Sequence, residues 1–272
     1  MSGFTKSLYI WAAALMLAPL PAQAAGDLLV APTRVVLDGA RGTEVILNNV
    51  GAEPATYRIS LELRRMTTDG KLDEVTKEEA NALEQAALSM IRYAPRRITL
   101  APNQPQAIRI GVRPPEGLAD GEYRAHMLFR AIPKARPVAP QAGEAQGLSI
   151  ALTPIYGVTI PVIIRKGQLQ ASAAIANGRV VTDQYGAAFA FDLSRRGDKS
   201  TYGEIRVTKP GLDEPLLVAR GIAVYAEVDA RAVKLPVPPE IARQLTGPVK
   251  IEYFEASSAG GGLIASVQTV LK

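Results

Sequence analysis

The sequence contains no cysteine and a single histidine, His126. Disulfides are therefore excluded, and one imidazole without thiols falls short of the three or four nitrogen and sulfur ligands of a usual zinc site. A structural role is expected for His126. No G-x-S-x-G elbow, no phosphate-cradling glycine loop and no paired carboxylates in a catalytic setting occur. A Ser-His-Asp set would have to use His126, which lies mid-strand with no nucleophile motif nearby. The inventory thus argues against an enzyme and implies neither a metal nor a cofactor. No repeat of fixed period is present. The apolar run from Leu8 to Leu20 is too short to span a membrane, which takes about 20 residues, and no later segment approaches that length without charges or turn residues.

What is present begins with a leader. Lys6, the Leu8 to Leu20 run and the Ala22-Gln23-Ala24 tract have the layout of a secretory signal peptide, with cleavage expected after Ala24. An exported protein without cysteine is compatible with a bacterial periplasm. Removing the leader leaves thirty basic against twenty-six acidic residues, too mild an excess to indicate a nucleic-acid partner. The remaining chain, about 248 residues, is long enough for two domains that each bury a core. Glycine and proline punctuate short β-branched runs, which favours an all-β fold.

The most informative stretch runs from Leu148 to Arg165. Ile150, Leu152, Tyr156, Val158, Ile160, Val162 and Ile164 share one parity, so an extended strand turns them all to one face. Strands usually run about five or six residues, so this ridge exceeds what one small sandwich needs. Either a bulge breaks it or part of it serves something outside its own domain. Pro154 and Pro161 each remove a backbone donor, which places the strand at a sheet edge for at least part of its length.

Upstream, strands are expected over Leu28 to Leu37, Glu44 to Asn48, Ala55 to Arg64, Arg97 to Leu100, Gln106 to Val112 and Gly121 to Ile132. One short helix interrupts them: Thr76 and Glu79 form a capping-box pair, and Ala80, Leu83, Ala87 and Ile91 follow at helical spacing. Residues 134 to 147 read as a mobile surface loop leading into the ridge. Arg165-Lys166-Gly167 is the best domain boundary. Beyond it, short β-like runs at Ala187 to Leu193, Glu204 to Val207, Glu214 to Ala219, Ile222 to Val228, Val249 to Glu255 and Leu263 to Leu271 suit a second sandwich.

Four segments carry a resemblance to the PapD-like periplasmic chaperones of pilus assembly, which are two-sandwich proteins that act by strand addition. They are A-P-T-R-V-V-L at 31 to 37, Y-A-P-R-R-I-T-L-A-P-N-Q-P-Q-A-I-R-I at 93 to 110, D-G-E-Y-R-A-H-M-L-F-R-A-I-P at 120 to 133, and the loop and ridge at 134 to 165. The resemblance covers about 140 residues of the first domain. It implies two immunoglobulin-like β-sandwiches set at an angle, with the helix inserted in the first: signal peptide 1 to 24, chaperone domain 25 to 166 and second sandwich 167 to 272. It implies a non-enzymatic periplasmic chaperone that stabilises exported pilus or fimbrial subunits by donor-strand complementation and hands them to an outer-membrane usher. Arg34 would hold the subunit's C-terminal carboxylate, and Ile150, Leu152, Tyr156, Val158 and Ile160 would be the donor set. Neither nucleic acid nor direct membrane insertion is implied, and an unliganded edge could pair with itself as a dimer.

Three features depart from the family's pattern. The lending strand normally carries a lysine that joins the arginine, but no basic residue lies between Leu148 and Ile164, and Pro161 occupies the expected place. His126 stands where an aromatic is usual. The second domain lacks an Asn-Pro-x-Pro-Tyr type of tract near Ile175 to Asn177. These departures point to a divergent branch. The competing reading is a structural or adhesive two-sandwich protein of the cell surface.

Overall fold

The computed structural model describes residues 28–39, 41–133 and 155–271. The leader, the 134 to 147 loop and the ridge residues Ile150 and Leu152 lie outside the described residues. The first unit comprises β1 (Leu28–Ala31), β2 (Val35–Leu37), β3 (Thr43–Asn49), β4 (Ala55–Met66), β5 (Leu72–Val75), α1 (Ala82–Met90), β6 (Ile91–Ala94), β7 (Arg97–Leu100), β8 (Pro105–Val112), β9 (Gly121–Ile132) and β10 (Gly157–Lys166). One sheet runs β1-β3-β8-β6; the other runs β2-β10-β9-β4-β5, with β7 also on β4. Alternating residues seal the space between them, among them Val45, Leu47, Ile108, Met127 and Phe129, all without solvent exposure.

The expected first strand is two strands. Pro32 has no N–H to continue the β1 ladder, and the chain crosses at Pro32 and Thr33 to the opposite sheet. There β2 pairs in parallel with β10, Val35 opposite Val162 and Leu37 opposite Ile164.

The helix also differs from expectation. Thr76 and Glu79 do make the reciprocal bonds of a capping box, with the Thr76 N–H donating to Glu79 Oε2 at 3.0 Å and the Glu79 N–H to Thr76 Oγ at 3.3 Å, but they close only a turn. A second box, Asn81 with Glu84, five residues further on, starts α1. Ala87 and Met90 face inward while Leu83, in the first turn at the helix end, stays exposed. Ile91 is extended: it caps the helix, its N–H donating to the Ala87 carbonyl, and begins β6.

The second unit comprises β11 (Ala171–Asp183), β12 (Gly186–Gly197), β13 (Thr201–Thr208), β14 (Leu217–Val224), β15 (Ala230–Pro236), the short helix α2 (Pro239–Gln244), β16 (Gly247–Glu255) and β17 (Leu263–Leu271). Its sheets run β11-β12-β15 and β14-β13-β16-β17 around Phe189, Phe191, Leu193, Ile205, Val207, Ile251 and Tyr253. The chain is thus all-β, two sandwiches with the main helix in the first.

The sandwiches meet over a small apolar cluster of Met66, Ile163, Ala223 and Tyr225. Around it, Arg124 stacks 3.8 Å from the Tyr225 ring centroid, forms an ion pair with Glu227 and donates to the Arg64 carbonyl at 2.9 Å. Glu227 also accepts the Met66 N–H at 2.7 Å, and the Ala232 N–H donates to the Thr68 carbonyl at 2.7 Å. Charge-assisted and backbone bonds therefore fix the two units on either side of an apolar contact.

Candidate functional site

The crossing between β1 and β2 determines where Arg34 sits. It is the residue before β2, on the chain's path from one sheet to the other, and its side chain enters a cleft of about 800 Å³ between the two units. The first unit contributes Pro32, Arg34, Val36 and Arg165 to the walls; the second contributes Lys199 and Tyr202 among others.

The guanidinium of Arg34 is only partly committed. Nη2 donates to Ser200 Oγ at 3.2 Å, and the group lies 4.4 Å from the Tyr202 ring centroid and 5.7 Å from that of Tyr225. Nη1 is buried and, among the described residues, has no hydrogen-bond partner. Desolvation holds the Arg34 guanidinium below the usual arginine value even though Tyr225 and Glu122 favour the charge. A partly dry cation with a spare donor suits an anion, and its planar fork matches a carboxylate in particular.

Arg165, by contrast, is neutralised. Its Nε donates to Glu122 Oε2 at 3.0 Å, and its Nη2 to the Ser200 carbonyl at 3.2 Å. The same Glu122 oxygen accepts the Ser200 N–H at 3.0 Å and the Ser200 hydroxyl at 2.9 Å. Glu122 is thus a buried acceptor that ties β9 and β10 to the turn before β13.

The candidate donor strand divides at Pro161. From Val162 to Ile164, β10 is flanked by β9 and β2; from Gly157 to Pro161, among the described residues, only β9 pairs with it. Tyr156 is 49% exposed, and Val158 is half-buried against the first core. Ile160, at 2% exposure, packs within that core on the face it shares with Val162 and Ile164. The odd face behaves differently. Pro161 stands opposite His126, whose imidazole is buried near Tyr225 with ring centroids 6.4 Å apart.

Sequence reasoning identified Arg34 but missed Glu122, Ser200, Tyr202 and Lys199 as neighbours of the cleft. Arg195-Arg196-Gly197-Asp198-Lys199-Ser200 carries the signal of an ordinary polar turn. Only the docking of one sandwich on the other brings it beside Arg34.

No family model and no curated protein matches the chain. Among solved structures, the chain is similar to the CsuC–CsuE chaperone–tip subunit pre-assembly complex of archaic Csu pili from Acinetobacter baumannii, at 11% identity and a TM-score of 0.44, covering 90% of this chain and 98% of that one. It is also similar to the Escherichia coli chaperone DraB, at 13% identity and a TM-score of 0.44, covering 90% and 96%. For the Pseudomonas aeruginosa CupB2 chaperone the values are 13% and 0.44, covering 90% and 100%.

Proposed function

We propose that the protein is a periplasmic chaperone that holds exported pilus or fimbrial subunits by strand addition and passes them to an outer-membrane usher. The observation that carries this reading is the cleft cation. Arg34 is desolvated, has an uncommitted donor at Nη1 and opens on the cavity between the two units, and the next residue, Val35, pairs with Val162, where the one-sided part of β10 ends. A stability role alone does not account for a charged group kept in that state.

In this reading an extended subunit segment lies along β10 upstream of Pro161 and adds main-chain hydrogen bonds to its open side. Tyr156 and Val158, with Ile150 and Leu152, supply the alternate apolar side chains. At about 1.5 to 3 kcal/mol for each large apolar side chain fully buried, three or four of them offset much of a missing core strand. Arg34 holds the segment's terminal carboxylate and sets its register, since a slip of one residue would turn the apolar side chains to the wrong face.

Charge reversal, Arg34→Glu, tests the reading in cells that co-express a small exported pilin-like subunit. The expected result is loss of the subunit from the periplasmic fraction, with the variant itself folded and thermally unchanged. Normal subunit levels would refute the anchoring role. A surface adhesin, the competing reading, would not co-purify one-to-one with such a subunit at all.

A further inference from the structure

We infer that Lys199, from the second sandwich, is the second cation of the cleft, so that a bound carboxylate is gripped from both domains. This rests on the anchoring role proposed for Arg34 and specifies how that site is completed. The cleft wall carries three basic residues, Arg34, Arg165 and Lys199. Arg165 is spent on Glu122, whose side chain is 1% exposed. That leaves Arg34 and Lys199.

Among the four lysines between Ala171 and Leu271, Lys199 alone has no acceptor among the described residues. Lys209 donates to the Gln244 carbonyl at 3.0 Å, Lys234 pairs with Asp183, and Lys250 pairs with Glu252 at 2.6 Å. The backbone beneath Lys199 is nevertheless held on both sides. Its own carbonyl accepts from Arg195 Nη1 at 3.2 Å, and the N–H of the next residue, Ser200, is the one bonded to Glu122. The turn closes further through the Asp198 N–H to the Gln170 carbonyl at 3.0 Å and the Gln170 N–H to Asp198 Oδ1 at 2.6 Å. Gly197 makes that closure possible: its φ is +118°, and a Cβ there would stand 2.2 Å from the Gln170 carbonyl oxygen.

With the backbone beneath it already fixed, Lys199 loses only side-chain freedom on meeting an anion, whereas a lysine on an unfixed loop would lose backbone freedom as well. Asp38 and Glu255 also line the cleft and keep its net charge modest, so a singly charged chain end fits it better than a polyanion.

The test uses the full mature chain and a synthetic ten-residue peptide of alternating valine and threonine, fluorescently labelled at its N-terminus, with either a free or an amidated C-terminus. Wild-type protein is expected to prefer the free acid. Lys199→Ala should weaken binding of the free acid by roughly tenfold, leave the amide unchanged and leave thermal unfolding unchanged, with Lys199→Arg restoring the preference. If Arg34→Ala erases the preference and Lys199→Ala does not alter it, the inference about Lys199 is overturned and the anchoring role stands. If the wild type shows no preference for the free acid, the anchoring role falls, and this inference with it.

Discussion

Arg34 and Arg195 are both arginines withdrawn from solvent, and both bond to the same turn, Arg34 at Ser200 and Arg195 at Gly197 and Lys199. Arg195, 3% exposed, is saturated: Nε donates to the Val228 carbonyl at 3.4 Å, Nη1 to those of Gly197 at 2.7 Å and Lys199 at 3.2 Å, and Nη2 to that of Ala226 at 2.9 Å. It stitches two loops of the second sandwich together. Arg34 makes one side-chain hydrogen bond and rests on aromatic faces, with a buried nitrogen unspent. Burial alone therefore does not separate a structural cation from a binding one; the number of donors left over does.

The largest effect expected from that contrast is on stability. Arg195→Met removes four hydrogen bonds from a charged donor and strands their carbonyls, so urea unfolding should show a loss of about 3 to 5 kcal/mol. Arg34→Met should cost less than about 1 kcal/mol, because the charge it deletes was already disfavoured by desolvation. Equal costs would erase the distinction.

The stretch just upstream of Pro161 offers the same contrast with apolar side chains. Ile160→Ala leaves a cavity in the first core and should cost about 3 kcal/mol. Tyr156→Ala, on the half-exposed side, should cost less than about 0.5 kcal/mol and instead reduce subunit binding. Denaturation of the two variants side by side decides whether burial in the first core gives out between Ile160 and Tyr156.

His126 sharpens the comparison from the side of pH. Its imidazole is buried, neither ring nitrogen has a partner among the described residues, and burial together with Arg124, Arg64 and Arg34 pushes its pKa down from 6.5 to about 3. The folded state thus binds fewer protons than the unfolded state between those values. Stability is complete above pH 6.5 and falls as pH drops toward 3, with a loss of about 2 kcal/mol by pH 5. His126→Phe should remove that slope from a series of unfolding curves between pH 7 and 4.

Much of this architecture was legible before any coordinates. Gly121 to Ile132 and Leu263 to Leu271 read correctly at both ends because turn residues bound alternating apolar runs. Arg34 was legible as a cleft residue only through the motif around it. Leu28 to Leu37 read as one strand because nothing in its apolar pattern says that Pro32 sends the chain to another sheet. The thirteen residues of β11 escaped notice, since its side chains are mostly small and only Ile175 is buried. Glu214 to Ala219 and Ile222 to Val228 read as two runs, yet one strand carries both across Gly221, whose φ is +78°. Lys199 could not be found at all, since its meaning depends on which surface the second sandwich presents to the first.

The crossing of the first strand has one more implication. Leu28 to Ala31 belong to one layer and Val35 to Leu37 to the other, so the segment works like a cross-stitch, and Arg34 sits at the point where the thread changes cloth. Its position is pinned a few residues upstream by β3 and just downstream by β10. Shortening the chain past Leu28 should therefore do two kinds of damage at once, unpicking the edge of a layer and letting the guanidinium wander.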